Sequence, residues 1–215
     1  MESPQIDKKG YQFARYGFEE RFISYYWQLR EVSRLNPKSV LEVGVGDGVF
    51  GSFIKKNTEI EYKSLDIAED LEPDVVGSVT DIPAADNSVD VACAFEVLEH
   101  LPFENFERAV NELSRVARNY VVISLPHFGP SISFSLKIPF LPLLRFSTKV
   151  PFPKKHTFNG QHYWEIGKQG YPPSKIRAVL AKHGKIIRDF VPFGSPYHHF
   201  FVIRLDKNMS HEASI

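Results

Sequence analysis

The chain has 215 residues, with 26 basic and 26 acidic side chains and a formal net charge of zero, so no global field draws it to nucleic acid or another polyanion. Its 43% hydrophobic content and its length suit one domain with a sizeable core, spanning residues 1–215, and no apolar run is long enough for a membrane span. Cys93 is the sole cysteine, which excludes an internal disulfide and predicts a reducing, cytoplasmic setting.

The first ten residues, MESPQIDKKG, lack the apolar core of a signal peptide and predict a loose start. From Phe18 to Leu35 the apolar residues Phe22, Tyr25, Tyr26, Leu29 and Val32 recur at helical spacing, and Asn36-Pro37 ends the pattern. Tyr25 reads as packing; Tyr11 and Tyr16 are open between packing and closure over a ligand. The next stretch, SVLEVGVGDGVF from Ser39 to Phe50, predicts a buried strand, a turn at Gly44, Gly46 and Gly48, and a helix from Val49. A strand, glycine loop and helix in that order form a nucleotide-type site at the strand's carboxyl end. The dinucleotide fingerprint G-x-G-x-x-G is not met, because the third glycine comes one residue early and Val49 holds its place. Glu42, an acid in the last turn of a buried strand, needs a partner.

These residues resemble the first motif of the class I S-adenosylmethionine-dependent methyltransferases, an apolar strand, an acid and G-x-G-x-G, here LEVGVGDG. The resemblance implies a Rossmann-like three-layer α/β sandwich with a mainly parallel seven-stranded sheet and an antiparallel last strand. It implies S-adenosyl-L-methionine as cofactor, held in part by Glu42, Gly44, Gly46, Asp47 and Gly48.

A second strand spans Glu61 to Ile67. Asp66 ends it about twenty residues beyond the glycines, where a carboxylate takes both ribose hydroxyls; Ile67 beside it joins the cofactor set. Asp74 to Val79 predicts a short third strand. Asp81 reads on its own as a helix cap; the resemblance implies that Asp81 meets the adenine amino group and Ile82 packs on the ring. Val89 to Phe95 is a buried fourth strand, and the EVLEHLP run that follows it resembles the family's signature, placing Phe95 and Glu96 at the cofactor's edge and giving His100 a positioning role. An amphipathic helix over Glu104–Ala117 and a fifth strand over Tyr120–Leu125 follow.

Between about 126 and 170 the chain changes character. Prolines recur, apolar residues crowd between them, and Lys137, Arg145, Lys149, Lys154 and Lys155 are interleaved with no acid from Pro126 to Gly160. The resemblance does not cover this insertion. It reads either as an apolar subdomain packed on the core or as a substrate lid, with peripheral membrane contact through 130–155. The run HTFNGQHYWEIGKQGY, His156 to Tyr171, crowds titratable and aromatic groups as binding loops do; its histidines lack a compact ligand spacing, so no metal is expected. A helix over Lys175–His183 and strands over Lys185–Pro192 and His198–Leu205 close the chain.

The expected function is methyl transfer to a small-molecule or lipid-linked acceptor, with His127, His162 and Glu165 as candidate bases. A non-catalytic binding protein of the same fold and, behind it, an NAD-dependent oxidoreductase are the alternatives. No nucleic-acid partner is expected; the acceptor and the oligomeric state are open.

Overall fold

The structure is a computed structural model and describes residues 8–206. Of the ten residues expected to be loose, 1–7 lie outside the described part, as does the tail from 207, and Lys8–Gly10 belong to a 3-10 turn. After a 3-10 turn at Lys8–Tyr11, the elements run α1 (Phe13–Tyr16), α2 (Glu19–Ser33), β1 (Ser39–Val43), α3 (Val49–Asn57), β2 (Glu61–Asp66), β3 (Val75–Val76), β4 (Val89–Phe95), α4 (Phe106–Val116), β5 (Ala117–Pro126), β6 (Ser131–Leu136), β7 (Leu144–Lys149), α5 (Pro173–Leu180), β8 (Gly184–Phe190) and β9 (His198–Leu205).

Seven strands form one sheet in the order β3-β2-β1-β4-β5-β9-β8. β1 pairs in parallel with β2 and β4, β4 with β5, and β2 with β3. β9 runs antiparallel between β5 and β8. The expected three-layer sandwich is therefore present, with its last strand reversed. Side-chain alternation explains the layers. Leu41, Val43, Ala92, Ala94, Val121 and Ile123 face one side and pack with Phe106, Val110 and Leu113 of α4. Val40, Val91, Cys93, Phe95 and Val122 face the other and pack with Val32 of α2 and Ile54 of α3.

The element bounds differ modestly from those expected. β3 is two residues long: the Gly77 N–H still donates to the Asp66 carbonyl at 2.9 Å, and Ser78 then bridges to Asp81 instead of to β2. α5 stops at Leu180, short of His183.

The insertion carries a second, separate sheet, β6 against β7. Phe134 pairs with Phe146 and Leu136 with Leu144, while Ser133 pairs with Ser147 and Ser135 with Arg145. One face of the hairpin is thus largely apolar and exposed; the other is polar and partly covered at Ser147 and Lys149. At its tip Phe140 is fully exposed, with a positive φ of 65°.

Candidate functional site

A cleft of about 460 Å³ opens at the carboxyl ends of β1, β2 and β4. The sheet order puts it there: β2 and β4 flank β1 on opposite sides, and the loops that follow them diverge. Gly44 and Gly46 form its floor. Gly44 has φ 85°, and a Cβ there would meet Val97 Cγ2 at 2.3 Å, so only glycine fits. Gly46, at φ 56°, has only the Tyr11 ring within reach, 3.7 Å from such a Cβ. The backbone is bare where a ligand must lie against it.

Asp66 and Ile67 line the same cleft, as do Phe95 and Glu96. Asp66 has a task that sequence reasoning did not foresee. Its Oδ2 accepts from the Val45 N–H at 2.7 Å and its Oδ1 from the Ala68 N–H at 2.8 Å, which ties the glycine loop to the end of β2. Each oxygen keeps a further lone pair for a diol. Glu96 sits at φ 56°, a conformation non-glycine residues seldom adopt. Its Oε1 accepts from Ser124 Oγ at 2.8 Å, and burial pushes its carboxyl up to about 7.

Other expected residues are placed elsewhere. Glu42 is buried beneath the loop and accepts from the Tyr62 hydroxyl; burial pushes it up to about 8. Neither Glu42, Asp47 nor Gly48 is among the lining residues. Asp47 is exposed and accepts from the Tyr25 hydroxyl, so Tyr25 braces the loop as well as packing. Gly48 caps α3 at φ 73°. Asp81 and Ile82 also miss the cleft: a turn closed by the Asp81 N–H on the Ser78 carbonyl, 3.2 Å, carries Asp81 into solvent, and Ile82 is buried in the core. Ser78 and Val79 line the cleft instead.

His127 is sealed in the sheet rather than facing a ligand. Its ring stacks on His199 with centroids 5.0 Å apart, its Nδ1 lies 2.9 Å from His199 Nδ1, and burial pulls it down to about 3. His199 in turn lies 2.6 Å from Asp189, which pairs with Arg177. This row of groups braces β5, β9 and β8.

His162 and Glu165 do come together. His162 Nδ1 lies 3.1 Å from Glu165 Oε1, and the Tyr197 hydroxyl donates to the same oxygen at 3.1 Å. Burial pushes the Glu165 carboxyl up, but these two hydrogen bonds and the charges of His162 and Lys168 outweigh it and hold it below the usual range. The His162 ring packs edge-on against His100, which lines the cleft, as does Tyr163. His100 Nδ1 lies 3.1 Å from the Gln161 carbonyl, pinning the 156–171 loop to the segment after β4. Of the insertion between about 126 and 170, Tyr163 alone lines the cleft, so the apolar side chains of the hairpin face solvent and not the cofactor region.

From the amino-terminal side, Tyr11 and Tyr16 close the cleft. They meet edge to face at 4.9 Å, and Arg21 lies 4.2 Å over the Tyr16 ring. Burial pushes the Tyr11 hydroxyl up to about 12.

A family profile described as a methyltransferase domain matches residues 41–123. Comparison with curated proteins finds no match. Among solved structures, the chain is similar to the 1,6-didemethyltoxoflavin-N1-methyltransferase of Burkholderia thailandensis, with S-adenosylhomocysteine bound, at 14% identity and TM-score 0.56 over 87% of this chain and 86% of that one. It is similar to the N-methyltransferase NodS of Bradyrhizobium japonicum, also with S-adenosylhomocysteine, at 9% identity and TM-score 0.55 over 86% and 87%. The magnesium protoporphyrin IX methyltransferase of Synechocystis, with S-adenosylmethionine bound, matches at 14% identity and TM-score 0.53 over 86% and 79%. Identities this low speak for the fold, and the family match covers the glycine loop and the floor of the cleft. Residues 41–123 thus match a methyltransferase-domain profile, and the fold is that of the class I S-adenosylmethionine-dependent methyltransferases.

Proposed function

We propose that the chain transfers a methyl group to a small-molecule or lipid-linked acceptor held at the His100–Tyr163 end of the cleft. The observation that carries this is the juxtaposition of two differently built ends. The Gly44–Asp66 end offers bare backbone and a carboxylate, which fits a nucleoside; the other end offers His100, Tyr163 and, behind them, His162 on Glu165.

The sulfonium of the cofactor supplies an activated methyl, so the protein's work is alignment and the exclusion of water. Asp66 holds the ribose hydroxyls, while Ile67, Ser78 and Val79 flank the base. Glu96 and Phe95 set the boundary between donor and acceptor. Tyr11 and Tyr16 cover the donor from the solvent side. Glu165 keeps the His162 ring oriented behind the cleft wall, edge-on against His100.

The hairpin supports a lipid-linked acceptor. Ile132, Phe134, Leu136, Leu144 and Phe146 form an exposed apolar face, and Phe140 projects from the tip. Contiguous exposed apolar faces mark interaction surfaces. The absence of acids from Pro126 to Gly160 and the five interleaved basic residues match an anionic membrane surface. No helix among the described residues is long and apolar enough to cross a membrane, so the contact is a peripheral one through 130–155.

Titration calorimetry with S-adenosylmethionine, S-adenosylhomocysteine and NAD tests the cofactor end; binding of NAD alone would sink the reading. Co-sedimentation with anionic and neutral vesicles tests the hairpin. Binding to anionic vesicles that weakens with salt is expected, and indifference to both would leave a soluble acceptor.

A further inference from the structure

Glu99 is fully buried, and neither of its carboxylate oxygens has a hydrogen-bond partner. A buried carboxylate left without hydrogen bonds is costly, and protonating it leaves a buried hydroxyl with no acceptor, so the proton removes the charge without satisfying the group. Something else must meet it. Around it stand two imidazoles. His162 Nε2 is 4.0 Å from Glu99 Oε1, too far for a hydrogen bond. One ligand atom from each of Glu99, His100 and His162 lies within 4.8 Å of the others.

We propose that Glu99, His100 and His162 bind one first-row divalent cation, with Zn²⁺ the best fit, in the acceptor wall of the cleft. Two imidazoles and one carboxylate select such a metal over Mg²⁺ or Ca²⁺, which take oxygen ligands. Ligand atoms in a tetrahedral set with bonds of about 2.1 Å stand about 3.4 Å apart. The three groups therefore close slightly around the ion, through rotation of the two rings. The outer contacts are already those of a metal site. Glu165 accepts from His162 Nδ1, which commits Nε2 to the ion, and the Gln161 carbonyl accepts from His100 Nδ1. Carboxylate and carbonyl acceptors behind ligating imidazoles orient the rings and strengthen their donation.

Three protein ligands leave a fourth position. His100 lines the cleft, so that position opens toward the acceptor. There the ion would lower the pKa of an acceptor hydroxyl and hold its oxygen as the nucleophile, in place of a proton-accepting imidazole. This role rests on the methyl-transfer reading; the binding itself does not.

The test uses the full chain, stripped with a chelator and titrated with Zn²⁺ by calorimetry and with Co²⁺ by visible absorption. One ion per chain, Co²⁺ bands of four- or five-coordination and a raised Tm in Zn²⁺ are the expected results. Glu99→Gln and His162→Ala should each lower Zn²⁺ affinity at least tenfold. Glu165→Gln should weaken it by about 10–100-fold while leaving the three ligands in place. A thermal melt of each apo variant controls for folding, and His162→Ala, at a partly exposed position, keeps the test open should Glu99→Gln fail to fold. Absence of Zn²⁺ binding by the wild-type chain overturns the proposal, as does binding that neither Glu99→Gln nor His162→Ala alters. Calorimetry with S-adenosylmethionine on the same samples reports on the donor site alone, so failure of the metal site and failure of the methyl-transfer reading give different results.

Discussion

The sheet and the insertion are built from similar residues and use them in opposite ways. In β4 every side chain from Val89 to Phe95 is buried, and in the hairpin every side chain of β6 is exposed. The sheet spends its apolar surface on its own stability and leaves only backbone and a few carboxylates at its carboxyl edge. The hairpin withholds its apolar surface from folding, which keeps it available for an external partner. The cleft is built by the first of these and takes only Tyr163 from the insertion.

The sharpest way to break this contrast is to truncate one aromatic residue buried in the core and the exposed ones of the hairpin. Trp164 is fully buried among Phe103 and Phe106, and its Nε1 donates to the Leu101 carbonyl at 3.1 Å. Trp164→Ala should cost about 3–5 kcal/mol in denaturant unfolding. Replacing Phe134, Phe140 and Phe146 together by Ser should leave that value nearly unchanged. Each phenylalanine buried in an apolar phase is worth about 1.5–3 kcal/mol, so the triple variant should lose anionic-vesicle binding by roughly a hundredfold or more. A triple variant that unfolds as readily as Trp164→Ala would show that the hairpin is core.

Within the cleft, Gly44→Ala is the next largest effect. The added methyl meets Val97 and the backbone is held at a positive φ, a strain of about 1–3 kcal/mol. S-adenosylmethionine affinity should fall by more than tenfold in calorimetry, with vesicle binding untouched. Asp66 sharpens the point. Losing a charge-assisted bond costs about 1.5–3 kcal/mol, so Asp66→Ala should weaken cofactor binding at least tenfold. It should also lower Tm, because the Val45 and Ala68 N–H groups lose their acceptor. Asp66→Asn, which keeps one carbonyl oxygen, should recover part of the Tm. Unchanged affinity in a folded Asp66→Ala protein would remove Asp66 from the site.

The smallest effect is a pH dependence that only the buried region can show. Burial raises Glu96 from an ordinary 4.5 to about 7, so the folded chain holds that proton more tightly than the unfolded one. The resulting stability is fully present below pH 4.5 and is lost as pH rises through 7. Glu42, raised to about 8 by burial, acts in the same direction. Buried His127 and His100, pulled down to about 3 and about 4, act in the opposite sense, so the readout is a difference: the Tm of Glu96→Gln relative to wild type should rise by a few degrees from pH 5 to pH 8. The hairpin has no acid and should contribute nothing to it.

What the sequence determined by itself was the part encoded at short range. Short apolar runs in Val40–Val43 and Val89–Phe95, glycines at 44, 46 and 48, and Asp66 at the end of the next strand are local patterns, and runs and turn chemistry are read within a few residues. They fixed the sandwich and the floor of the cleft. Tertiary structure decided the rest because it depends on where chain segments far apart come to lie. A turn at Ser78 sends Asp81 outward. The pairing of β5 with β9 stacks His127 on His199 and takes it out of reach of a ligand. Spacing argued against a metal because the histidines of the 156–171 run lack a compact ligand pattern; the loop that follows the hairpin carries His162 back against the end of β4, beside His100 and Glu99. The hairpin's apolar face is likewise a product of register, since Phe134 meets Phe146 only once β6 and β7 are paired.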